Sequence, residues 1–110
     1  IQWYRQKLKD LIHGLLAVWE PILGVKALEW GVKRMKTRWG SCNLVKKRIW
    51  ISLELIKRPA GCLEYILVHE LTHLLEPSHN TRFYTLLESF MPDWREADTQ
   101  LKEFGRKING

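Results

Sequence analysis

His69-Glu70-Leu71-Thr72-His73 is the stretch whose residue types and spacing can do chemistry. On a helix, residues four apart stand one above the other, with Cβ atoms about 5–6 Å apart. Two imidazoles so placed can lean onto one divalent cation at about 2.0–2.1 Å, the usual zinc–nitrogen distance. Glu70 lies about 100° round the helix from His69, beside the ligand axis rather than on it. Zinc held by three protein ligands keeps its fourth position for water and lowers that water's pKa to about 7. The pattern predicts hydrolysis, with Glu70 as the general base that takes the water's proton and passes it to a leaving amine. A closed structural site would instead need a fourth protein ligand, most often cysteine.

The third ligand must come from elsewhere. His79 follows His73 by six residues, with Pro77 between them. A straight helix would carry it about 240° away. The break at Glu76-Pro77-Ser78 lets the chain turn back, which makes His79 the first candidate. Glu76 and Glu88 are the alternatives.

The elements that must position these groups follow from periodicity. Ile1, Tyr4, Leu8, Leu11, Leu15 and Val18 step by three and four, which predicts a first helix with that stripe inward, ended by Pro21 and Gly24. Between 25 and 55 the helical period disappears. Short apolar–charged alternations, the clearest being Ile49, Ile51, Leu53 and Leu55, predict two or three strands in a small, mainly antiparallel sheet. The run Trp39-Gly40-Ser41-Cys42-Asn43 reads as a turn between strands. Pro59 opens the metal-binding helix, whose stripe includes Leu63, Ile66, Leu67, Leu71, Leu74 and Leu75. Two closing helices are expected, one over 81–90 and one from Asp93 to about Ile108.

These pieces resemble the YgjP-like zinc metallopeptidases and, more distantly, the SprT-like proteases and other zincins. The resemblance is carried by Trp3-Tyr4-Arg5, Thr37-Arg38-Trp39-Gly40-Ser41-Cys42, Pro59, Tyr65, His69-Glu70-Leu71-Thr72-His73-Leu74, His79 followed by Phe83, and Met91-Pro92-Asp93-Trp94. It implies an α+β, zincin-like fold, zinc on His69, His73 and His79, and Glu70 as the catalytic residue. It also implies that residues 1–110 are the C-terminal catalytic part of a longer protein.

Composition narrows the classes. One hundred and ten residues, 45% hydrophobic with six Trp, make one folded domain and exclude disorder. The longest apolar run, Leu15 to Trp19, is five residues, against about 20 for a membrane span. Two lone cysteines suit a reducing compartment and so a cytoplasmic protein. The net charge is +6. From Trp30 to Leu53 there is no acid but seven basic residues, Lys33, Arg34, Lys36, Arg38, Lys46, Lys47 and Arg48. With Trp30, Trp39 and Trp50 interleaved, this stretch could hold nucleic acid by phosphate contact and stacking. The preferred reading is lysines on the solvent face of strands.

Other residues are weighed for the cleft. Trp39, Ser41, Cys42 and Asn43 could line it. Tyr65, one turn before His69, could hydrogen-bond near it. Glu88 could orient a ligand imidazole. Arg82 and Tyr84 as oxyanion donors are less favoured than surface and core positions, and His13 reads as a surface residue. The expected substrate is a peptide or protein, held extended along a sheet edge by main-chain pairing. A basic protease module acting near nucleic acid, and a zinc-bound interaction domain without turnover, are the competing classes.

Overall fold

The structure, a computed structural model, describes residues 2–104. Ile1, placed above on the first helix's stripe, and Ile108, the expected end of the last helix, lie outside them. Helix α1 spans Gln2–Leu23, followed by strands β1 (Glu29–Lys33), β2 (Gly40–Asn43) and β3 (Arg48–Ser52). A 3-10 turn over Leu53–Lys57 leads into α2 (Ala60–Thr72), α3 (Thr81–Phe90) and α4 (Trp94–Lys102). The fold is α+β, as the pattern predicts.

Helix α2 is the centre of the molecule. From Cys62 to Thr72 every residue but Glu64 is buried, as in a helix wrapped on all sides. The other elements supply the wrapping. The Trp19 indole N–H donates to Glu64 Oε2 at 2.8 Å, tying α1 to α2. On the other side the Tyr65 hydroxyl donates to Asp98 Oδ1 at 2.8 Å, tying α4 to α2.

The first helix turns a different face inward from the one predicted. Leu8, Ile12, Leu16 and Leu23 are buried, while Tyr4, Leu11 and Val18 are 46%, 45% and 54% exposed. Leu8 is common to both stripes, and both have helical spacing; packing on α2 and the sheet selects the one that continues through Ile12 and Leu16. Pro21 does not end the helix but sits in its last turn. Gly24, at φ +70, does end it, and its N–H returns to the Glu20 carbonyl at 2.9 Å.

The sheet has the order β1-β3-β2 and is mixed. Strand β3 pairs parallel with β1 and antiparallel with β2. The mainly antiparallel expectation fails because β3, carrying the buried Ile49 and Ile51, inserts between its two predecessors. Gly40–Asn43 is a strand rather than a turn. The turn lies at 44–47, where Asn43 Oδ1 accepts the Lys46 N–H at 3.0 Å and Lys47 takes φ 50. Leu53 and Leu55 continue the apolar alternation but leave the sheet, because Ser52 Oγ caps the 3-10 turn by accepting the Glu54 N–H. Asp93 stands at the N-cap of α4 without a side-chain bond there.

The choice of face on α1 is measurable. Ile12→Ala should cost about 2–5 kcal/mol of unfolding free energy, the range for a buried aliphatic truncation. Leu11→Ala should cost less than about 1 kcal/mol, close to surface substitutions. Urea denaturation giving the reverse order would restore the predicted stripe.

Candidate metal centre

Local chemistry puts three imidazoles in one place. His69 sits in the last turn of α2, and His73 is its C-cap residue. The chain then makes a turn, and Asn80 starts α3 by accepting the Phe83 N–H at 3.0 Å. His79 is the residue just before that cap. The reversal is clamped by Arg82, whose guanidinium donates to the Leu75 carbonyl at 2.9 Å and to Glu76 Oε1 at 3.1 Å.

The ring nitrogens converge. His79 Nε2 lies 3.2 Å from His69 Nε2 and 2.9 Å from His73 Nε2. One donor atom from each residue falls within 4.8 Å of the others, a spacing that can hold one metal ion. The free face of His73 is fixed by its other nitrogen. Nδ1 lies 3.1 Å from the Pro77 carbonyl and 3.3 Å from that of Glu76, so Nδ1 must donate and Nε2 keeps its lone pair. His69 is held by packing instead, with Tyr65 edge-on at 5.8 Å and Phe83 at 4.9 Å. Phe83 also meets His73 at 4.6 Å and His79 at 5.0 Å, so a single ring floors all three. No role for Phe83 was legible in its type or spacing.

The electrostatics suit a cation. Burial, reinforced by His73 and His79, pushes His69 down to about 3. Burial lowers His73 too, with His79 adding to it, and burial lowers His79. All three rings are therefore neutral at pH 7 and offer lone pairs, the form a metal needs.

Glu70 is fully buried, and neither carboxylate oxygen finds a partner among the described residues. Burial pushes it up to about 8, against a smaller opposing pull from Arg38. Strand β2 runs directly over it, with the backbone of Gly40 against the carboxylate. Cys42, two residues along the same strand, has its thiol pushed up to about 12, first by burial and then by Glu70.

The remaining candidates are placed as follows. Trp39 is buried, with Phe104 edge-on at 6.3 Å. Ser41 pairs opposite Trp50 on β3, and Asn43 caps the hairpin turn. Tyr65 faces His69 with its ring and Asp98 with its hydroxyl; Asp98 had no signal in the sequence. The Glu76 carboxylate pairs with Arg82, not with the imidazoles. Glu88 bonds Arg95 and the Trp94 indole N–H rather than a histidine. It nevertheless lines, with His79, Tyr84 and Arg95, an open groove of about 840 Å³. His13 is exposed, on helix α1. In the basic stretch, Lys33 and Arg48 lie against the Trp50 ring at 4.6 and 5.7 Å, and Arg48 also pairs with Glu29.

A family model described as YgjP-like, metallopeptidase domain, matches residues 1–104. The chain belongs to the YgjP-like metallopeptidase family. It is a peptidase domain whose chemistry uses a metal ion. Two solved structures share the fold. The metallopeptidase zymogen of Pyrococcus abyssi abylysin is 21% identical with a TM-score of 0.71, covering 91% of this chain and 97% of that one. The metallopeptidase zymogen of Methanocaldococcus jannaschii jannalysin is 20% identical with a TM-score of 0.67, covering 87% and 94%. No curated protein matches the chain.

The buried groups pull the metal-free fold in opposite directions with pH. Glu70 binds its proton more tightly folded than unfolded, so its contribution is present below its ordinary 4.5 and is lost as pH rises towards about 8. His69 is the reverse: its folded value of about 3 means stability is lost as pH falls below 6.5. With chelator present, Glu70→Gln should melt well above the parent at pH 9, each pKa unit being worth about 1.4 kcal/mol. The two should converge near pH 4.5. Equal melting temperatures at pH 9 would show that Glu70 is not desolvated.

Proposed function

We propose that the domain is a zinc-dependent peptidase in which His69, His73 and His79 bind the metal and Glu70 is the general base. The observation that carries the reading is the convergence of three neutral imidazole nitrogens beside a buried carboxylate. The donor set fits zinc: three nitrogens, no thiolate among them, and no fourth protein ligand in the cluster. When bound, the ion supplies Lewis acidity at its open position. Glu70 accepts a proton from the attacking water and returns it to the departing amine. A carboxyl raised towards neutrality suits that exchange, since it must both take and release a proton near pH 7.

The substrate is an extended peptide or protein segment along β2. The strand order leaves one edge of β2 unpaired within the sheet, and Gly40 sets that strand beside Glu70. Main-chain pairing at the edge gives affinity with little sequence preference. The two free thiols, Cys42 and Cys62, suit action in the reducing cytoplasm. Among the described residues no helix is long and apolar enough to cross a membrane.

Metal content and turnover test this together. The purified chain should carry one zinc, and His79→Ala should lose affinity by more than the roughly 100-fold typical of removing a ligand's outer partner. Glu70→Gln should keep the zinc and lose about 10²–10⁴-fold in kcat on an internally quenched peptide library. Full activity in Glu70→Gln would remove the base role, and a wild-type chain that binds no zinc would remove the metal role.

A further inference from the structure

Gly40 is a glycine for reasons of space, not of backbone conformation. Among the described residues Gly24 alone of the glycines has positive φ, so the backbone at 40 is open to any residue. A Cβ built there would lie 2.8 Å from Ile66 Cγ2, 3.2 Å from Glu70 Cγ and 3.2 Å from Glu70 Oε2. Ile66 and Glu70 are four apart on α2, so one bare peptide unit covers both. The other glycines differ. Gly14 and Gly61 face open space, and Gly31 meets only the Trp50 ring.

We infer that Gly40 is a positioning residue for catalysis, in that its bare backbone is the wall that sets where the Glu70 carboxylate rests. The inference depends on Glu70 being the base. Both Glu70 oxygens are buried without a hydrogen bond among the described residues, and Arg38 acts on the carboxylate only through its charge. Packing therefore helps to fix it, and on the sheet side the packing contact is β2. A methyl group at 40 would press on Oε2 and Cγ and move the carboxylate by a few tenths of an ångström or more. It would also press on a β-branched side chain that has one preferred rotamer in a helix and cannot swing aside. Displacements approaching 1 Å at a reacting group cost about 10²-fold in rate.

The test must separate Glu70 from Ile66. Gly40→Ala should lower kcat several-fold, up to about 10²-fold, with KM within a few-fold and one zinc retained per chain. Ile66→Leu removes the offending Cγ2 branch while keeping volume. Gly40→Ala with Ile66→Leu should therefore recover melting temperature but not kcat. In the Glu70→Gln background, Gly40→Ala should have little further effect on kcat, because the group it displaces no longer works as a base. Recovery of wild-type kcat in the Ile66→Leu double variant would overturn the inference, as would full additivity with Glu70→Gln or loss of zinc in Gly40→Ala. Wild-type activity in Glu70→Gln alone is a different failure, that of the base assignment itself.

Discussion

Three imidazoles packed into one small volume repel a proton collectively. Each loses water on burial, and none can be charged cheaply while the others stand beside it. Burial lowers all three, and the neighbouring rings add to it at His69 and His73. What remains is a set of neutral lone pairs with nothing of opposite charge among them, an arrangement that makes sense around a cation. The rest of the molecule serves that convergence. Helix α2 brings two of the rings by its own period, and the reversal at 73–80 brings the third.

Holding a polar cluster inside a small domain requires rigid walls. Helix α2 is clamped on one side by Trp19 through Glu64 and on the other by Asp98 through Tyr65. Phe83 fills the floor beneath the rings, and Arg82 braces the loop between them. The sheet closes the opposite side, and it does so with backbone rather than side chain. That sets the backbone of Gly40 against the Glu70 carboxylate, on the helix that also carries His69.

Much of the site was legible because helical spacing is a local property. His69, Glu70 and His73 are related by the geometry of a single turn, and Pro77 announces the reversal that returns His79. The sheet was less legible. Gly40 looked like turn punctuation, since glycine signals turns far more often than close approach, and Asn43 caps the turn that actually follows. The stripe on α1 failed for another reason: Tyr4, Leu11 and Val18, seven apart, share a helical face just as Leu8, Ile12 and Leu16, four apart, do, and spacing cannot say which is covered. Asp98 gave no warning, and Phe83 entered only through the resemblance with no role attached, because their roles exist only across element boundaries.

The chain by itself determined which atoms could bind a metal and which carboxylate could take a proton, since both depend on residue type and on the fixed rise and turn of a helix. Tertiary structure alone decided the parallel pairing of β1 with β3, the buried face of α1, and the strand that lies against Glu70. Those are contacts between segments far apart in sequence. Their selection depends on how volumes fill the space around α2, a quantity that no local pattern of residues carries.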